Sequence, residues 1–527
     1  MNANLALRLT EHARKRPDAP AIMTWRDGGH RAWTFSEIDH ASRHAASLFL
    51  RFGLLKGDTV LLWQPMSAEL YILMIGAWRA GLAVMFIDPG QPLAMREACA
   101  RIIQPRALAG SWTAHAWSMT TPTLRRLSNR ITTSGWWPMA KRWTNCGHNA
   151  DDSAIAVCSD DDPALITFTS GSTGKPKTIV RSHGFLARQH QAIHHELNLH
   201  EGQVDLTTMP IFLLANLGSG VTSVIPRGNI SRPGSINAQY VLEQIKQCGI
   251  TRGGGSPAFW ERLIHAPQYE RHVLSTMREM YTGGGPVYID LLQRLQKAAP
   301  LAKVIAIYGS TEAEPIASAP LSELLQHQDY ADRMLPLGKP VADIRVMVIS
   351  DSWGTPLRFH DESELETKVL PPGCVGEILV SGPLVISGYW LGHGDEETKV
   401  KVGNTIWHRT GDAGCFDPHG ALWLAGRCSA KVNHGTQMIY PFNIELSVRN
   451  VPGIRRIALT TFQREACLAV EAEDSKAIET LKHGLARHHY TALPVIRVAR
   501  IPVDRRHNSK IDYHRLETLL SQTKHRK

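Results

Sequence analysis

The run Thr169-Ser170-Gly171-Ser172-Thr173-Gly174-Lys175-Pro176-Lys177 gathers four hydroxyls and two lysines around two glycines. Directly before it stands the apolar stretch Ala164-Leu165-Ile166-Thr167-Phe168, which reads as a buried strand. Glycine at 171 and 174 lets the backbone turn tightly enough for successive amide N–H groups to face one anion. The hydroxyls of Thr169, Ser170, Ser172 and Thr173, with the cations of Lys175 and Lys177, suit a polyphosphate. This is not a Walker A loop: Thr169 stands where the first glycine would be, and the Gly-Lys pair is followed by Pro176. A merely flexible surface loop would not need a buried strand ahead of it.

Further motifs follow in order: Gly283-Gly284-Gly285-Pro286, Tyr308-Gly309-Ser310-Thr311-Glu312, Thr410-Gly411-Asp412, Gly426-Arg427 and a late lysine, Lys510. Read alone, Asp412 would be a turn residue, and Arg427 and Lys510 surface cations. Together with the loop, the ordered set resembles the adenylate-forming superfamily of acyl-CoA synthetases, peptide-synthetase adenylation domains and firefly-type luciferases. The resemblance covers nearly the whole chain. It implies that ATP and Mg²⁺ are used to convert a small-molecule carboxylic acid into an acyl-adenylate. It further implies that Gly283, Gly284 and Gly285 lie along adenine with Tyr308 packed on the ring. By the same likeness Thr311 meets the α-phosphate, Glu312 holds magnesium, and Asp412 takes the ribose hydroxyls. Arg427 opens the hinge beside the nucleotide, and Lys510 reaches the reacting centre from the C-terminal end. The chemistry is consistent with these types: attack of a carboxylate on phosphorus builds negative charge, which a cation and a metal would neutralise.

Departures from the common pattern point to a branch. Where acyl-CoA synthetases carry Pro-Leu-Phe-His near the acyl pocket, this chain has Pro210-Ile211-Phe212-Leu213. The hinge position after Gly-Arg-x, usually Asp or Lys, is Ser429, and Asn433-His434-Gly435 replaces the following lysine-glycine pair. The wording of Ile87-Asp88-Pro89-Gly90, 218–226, 255–260, 308–315 and 502–511 is similar to the β-lactone synthetases of bacterial olefin biosynthesis. That likeness implies adenylation of a long-chain β-hydroxy acid, followed by attack of its own hydroxyl on the acyl carbon. An acyl-CoA or acyl–carrier-protein ligase with a divergent hinge is the alternative, and an inactive nucleotide-binding scaffold a third. Leu213 and Trp260 fall in segments that line the acyl pocket of relatives, though core packing explains them as well. The lactone likeness leaves room for a complex with other enzymes of the same lipid pathway.

Placing such residues requires a scaffold, and alternation of elements supplies one. Helical spacing of Phe35, Ile38 and Ala41 leads to the strand Thr59–Trp63. A helix with Leu70, Leu73, Met74 and Ala77 on one face then leads to a second strand at 83–87. Such alternation predicts an α/β fold with mostly parallel sheets. Between Trp112 and Asn149 the pattern fails, and a surface loop is expected. The break near Gly426 divides the chain into an AMP-binding and acyl-substrate domain, 1–425, and a small α+β lid, 426–527, carrying Lys510. At 527 residues the chain exceeds one compact core. Its 43% hydrophobic and 20% charged residues are those of an ordinary globular protein.

A net charge of +10 without Lys/Arg runs gives no footprint for nucleic acid. Eight cysteines without a CxxC pair suggest neither zinc nor disulfides. With no apolar stretch long enough to span a bilayer and no signal-peptide pattern at the N-terminus, a cytoplasmic protein not integral to a membrane is expected.

Overall fold

The computed structural model describes residues 2–523 apart from 27–28, 144–153, 171–175, 327, 436, 464, 489, 491–492 and 504–509. The chain forms two compact units. One comprises Met1–Arg227, Glu243–Gly254 and Ile386–Asp395, the other Gly228–Leu242, Gly255–Val385 and Glu396–Lys527.

The first unit is built on parallel strands. One sheet runs in the order Lys141–Arg142, Arg130–Thr132, Ala107–Gly110, Thr59–Trp63, Ala83–Met85, Pro163–Ser170, Pro176–Ser182. Only its last pair is antiparallel. A second sheet orders Gly29–Thr34, Pro20–Arg26, Thr222–Val224, Val204–Thr207 and Arg252–Gly255, again parallel except at the outer hairpin. The helix Phe35–Arg51 begins at a reciprocal cap, in which Glu37 N–H donates to Thr34 Oγ1 and Thr34 N–H to Glu37 Oε2.

Sequence spacing gave the helix Ala68–Arg79 one apolar face, yet all of its residues are buried. It packs against strands of both sheets as well as against two helices. Gly76 makes the closest approach possible, since a Cβ there would lie 2.5 Å from that of Ala45. The buried Arg79 is matched by Asp39, Ser42 and Thr10.

The segment expected to be a loop holds two short helices, Trp112–Ser118 and Pro122–Arg125, and the strands Arg130–Thr132 and Lys141–Arg142. Elements this short carry too few residues for a hydrophobic period. One of them also buries Arg130, whose guanidinium donates to the Leu124 and Leu127 carbonyls and to Ser118 Oγ.

The second unit shares the α/β class but reverses the strand habit. Its large sheet runs Arg345–Ile349, Gly376–Ser381, Thr405–Phe416, Leu422–Arg427, Leu335–Pro340, Ala313–Pro320, Lys303–Ser310, Glu279–Gly283. Only the last pair is parallel. A fully buried ion pair, Arg409 with Glu377, bridges two central strands through bonds of 2.6 and 2.8 Å. Leu422–Arg427 is the last strand of this sheet; later strands form a hairpin, Val432–His434 with Gln437–Ile439, and a three-stranded sheet, Ile454–Phe462, Glu465–Ala472, Val495–Arg497. Alternation gives that sheet two cores: Ile457, Leu459, Leu468 and Val470 on one face, Ala458, Cys467 and Ala469 on the other. Among the described residues no helix is long and apolar enough to cross a membrane.

Candidate active site

In the first unit, the strands Pro163–Ser170 and Pro176–Ser182 pair with Thr169 opposite Lys177 and Ser170 opposite Pro176. The stretch 171–175 between them, with the predicted Gly171, Ser172, Thr173 and Gly174, lies outside the described residues. Pro163–Ser170 runs parallel to Ala83–Met85, and its C-terminal end, with Thr169 and Ser170, is the end at which α/β sheets bind ligands. Lys177 is buried, with its ammonium 5.2 Å from the ring of Tyr389 and its stem against Gly394.

The second unit brings three of the predicted residues together, Tyr308, Asp412 and Arg427. Strands Thr405–Phe416 and Leu422–Arg427 place Asp412 directly opposite Arg427. Arg427 Nε lies 3.2 Å from Asp412 Oδ1, and its Nη1 donates to the Thr410 carbonyl. Tyr308, at the end of Lys303–Ser310, donates its hydroxyl to Asp412 Oδ2 at 2.7 Å. Burial first, and then Asp412, push the Tyr308 phenol well above its ordinary value, so it stays a donor. Asp412, first among the causes, raises the Arg427 guanidinium, with Tyr308 and Glu312 adding to the effect. Each Asp412 oxygen retains a lone pair and is held in place, the condition for accepting a sugar hydroxyl with little reorganisation.

Thr311 and Glu312 are the two turn residues of a hairpin in which Ser310 pairs with Ala313. The register slips between Tyr308 and Ser310, and this irregularity re-aims the tip. The adjacent parallel strand sets Gly283 opposite Ile307 and continues into Gly284 at φ +76° and then Gly285. A Cβ on Gly283 would lie 2.6 Å from the Ile307 carbonyl oxygen, so only glycine fits there. Two predicted motifs thus leave from neighbouring strands.

The donor set fits a magnesium nucleotide. Ser310 Oγ is buried without a hydrogen-bond partner among the described residues, beside Thr311 and Glu312. Glu312 supplies a hard oxygen, and no described group of three or more His, Cys, Asp or Glu is placed for a metal. One carboxylate with phosphate oxygens and water is the usual arrangement for Mg²⁺.

Ser429 is exposed in the turn Cys428–Ala430, immediately after the last strand of the large sheet. Lys510 is exposed in a bend just before Ile511, which pairs with Val503. Leu213 and Trp260 are both 0% exposed. Leu213 belongs to the first unit's main core, while Trp260 donates to the Tyr281 carbonyl and packs on Phe259. Both pack as core residues, and apolar runs and a buried indole look alike in sequence whichever surface they cover.

Sequence reasoning missed the anchors of the C-terminal segment. Asp351 accepts from Lys431 at 2.8 Å and from the Tyr440 hydroxyl at 2.7 Å, on either side of the hairpin that follows Ser429. Arg449 pairs with Asp290 at 2.7 Å and lies over the Tyr288 ring. Glu445 is buried and accepts from Leu459 N–H and from the hydroxyl of Tyr513, three residues beyond Lys510.

Burial raises the Glu445 carboxyl to about 7. Below its ordinary value of 4.5 the group is protonated in both folded and unfolded chains. Between there and about 7 only the unfolded chain ionises, so stability falls as pH rises. This group should cost on the order of 3 kcal/mol across that window, and Glu445→Gln should remove that part of the slope. Urea unfolding followed against pH checks it; equal slopes in both proteins would refute the role.

The family described as AMP-binding enzyme matches residues 9–390. An olefin beta-lactone synthetase of Stenotrophomonas maltophilia is 30% identical over 555 residues, covering 97% of each chain. An indoleacetate–CoA ligase of Aromatoleum aromaticum is 32% identical over 302 residues, covering 56% of this chain and 54% of its own. In fold, the chain is similar to an anthranilate CoA ligase solved with anthranoyl-AMP, at TM-score 0.83 and 18% identity over 100% of this chain and 98% of the other.

Proposed function

Because the chain belongs to the AMP-binding enzyme family, we propose that it uses ATP to adenylate a long-chain β-hydroxy acid and then closes the product to a β-lactone. The observation that carries the first half is the Asp412 carboxylate, held between Tyr308 and Arg427 in the unit that also presents the Thr311-Glu312 tip. Adenosine is held by Gly283, Gly284, Gly285, Tyr308 and Asp412. The triphosphate is held by Thr169, Ser170, 171–174 and Lys177, with Arg427 nearby in role. Magnesium on Glu312 would supply charge neutralisation for the phosphates. The acid's carboxylate oxygen bonds to the α-phosphorus as the bond to the β-phosphate oxygen breaks and pyrophosphate leaves. Thr311 and Lys510, the latter delivered by a lid of residues 426–527, meet the charge that develops.

In the second half the substrate's β-hydroxyl oxygen bonds to the acyl carbon. The bond to AMP breaks, AMP departs, and the hydroxyl proton is lost to solvent. An internal nucleophile is always at hand, so no thiol is needed. Support comes from the likeness to proteins named olefin beta-lactone synthetase along 97% of the chain, and from Leu213 and Ser429 at the two departures. Thioester formation is the second reading, favoured by the 32% identity to a CoA ligase over part of the chain.

Exchange of labelled pyrophosphate into ATP, dependent on added 3-hydroxy acid, tests the adenylation step. Asp412→Asn should raise the KM for ATP about tenfold or more, since a charged hydrogen-bond acceptor is lost. Exchange that ignores the acid, or an unchanged KM in the variant, would contradict the assignment.

A further inference from the structure

From Ala98 to Trp143 the chain contains seven Lys or Arg and not one Asp or Glu. Elsewhere acids are frequent: 48 in 527 residues, roughly one in eleven. Within this stretch Trp112, Trp117, Trp136 and Met139 are 51%, 48%, 78% and 86% exposed. Large apolar side chains this open, close together, are unusual on a protein that meets only water.

Contacts tie the segments that carry these residues to one another. Trp112 N–H donates to the Ser134 carbonyl, and Gly135 lies beneath the Trp112 ring, where a Cβ would come within 2.8 Å. His115 stacks on Trp137 with centroids 5.8 Å apart, tying the helix Trp112–Ser118 to the turn that carries Trp136 and Met139. The edge strand Lys141–Arg142 follows, in register with Ile131 and Thr132. Arg125 and Arg126, at the end of the next short helix, are exposed as well. The acid that precedes the stretch, Glu97, is already occupied by Arg101 and Thr123.

We propose that this surface docks on an anionic lipid bilayer, with Trp112, Trp117, Trp136 and Met139 entering the headgroup region and the nearby cations meeting lipid phosphates. Indole rings favour the boundary between headgroup and acyl chain, where one edge is apolar and the N–H stays wet. Cations alone would equally suit an acidic protein, but four exposed large apolar side chains among them match the two signals that peripheral lipid binding combines. None of these residues is among those given a role in catalysis, so the test is independent of the proposed reaction.

Sedimentation of the purified protein with large vesicles decides the matter. Wild-type protein should pellet with vesicles of phosphatidylcholine and phosphatidylglycerol, less with pure phosphatidylcholine, and less again in high salt. Trp136→Ser with Met139→Ser should weaken binding about tenfold on both lipids, by the loss of inserted apolar surface. Arg125→Gln with Arg126→Gln should weaken it by about tenfold or more on the anionic vesicles alone, near fivefold for each cation. All these side chains are exposed, and acid-dependent pyrophosphate exchange with a soluble short-chain acid should stay at the wild-type level. Wild-type protein that remains in the supernatant with anionic vesicles at low salt overturns the proposal and leaves the patch to a protein partner. Variants that pellet like wild type overturn it equally.

Discussion

Lys510→Ala is expected to slow acyl-adenylate formation by about 10²–10³-fold, the usual cost of removing one donor aimed at developing charge. The reacting centre brings a carboxylate to an already anionic phosphate, so the barrier is electrostatic before it is geometric. A cation that arrives only with closure of the lid would act on the transition state more than on bound ATP. The KM for ATP should therefore change little while kcat falls. Lys510 is exposed in a bend, so truncating it removes little packing and the variant should unfold like wild type. Rapid-quench measurement of pyrophosphate release in a single turnover separates this step from later ones. A rate within a few-fold of wild type would remove Lys510 from the chemistry while leaving membership of the family untouched.

The second large effect lies in the substrate. A 3-hydroxy acid and the same acid without its hydroxyl should be adenylated alike, yet only the first should turn over. With the internal nucleophile missing, the adenylate stays bound, and pyrophosphate release should stop near one equivalent per enzyme. Well-oriented intramolecular attack is worth many orders of magnitude over a bimolecular one. Even after ring strain is subtracted, a steady-state ratio of at least ~10² between the two acids is expected. Continuous pyrophosphate detection with both acids, in the absence of any thiol, measures it. Equal steady-state rates would contradict intramolecular closure.

The sequence displayed the candidate site in proportion to how far each residue type departs from ordinary packing. The hydroxyl-rich run 169–177, the glycines at 283–285 and the Tyr308 motif have few structural uses in such clusters, and the last two do leave from paired neighbouring strands. Asp412 and Arg427 are fifteen positions apart, yet a hairpin brings them face to face. Other features left no local trace. Asp351, Lys431 and Tyr440 are single polar residues whose meaning lies only in their meeting. Glu445 sits in an apolar helix where nothing nearby in sequence names Tyr513 as its partner. Leu213 and Trp260 were ambiguous for a different reason, since apolar side chains serve a core and a pocket with the same chemistry. The antiparallel habit of the second unit was also hidden, because strand spacing alone does not give direction.

Mass spectrometry of the products of ATP and a racemic long-chain 3-hydroxy acid, run with and without CoA, tests the central claim most directly. The lactone reading predicts AMP, pyrophosphate and a product lighter than the acid by one water, formed equally well in both reactions. Acyl-CoA as the main product, formed only when CoA is present and equally well from the acid without a hydroxyl, would contradict it.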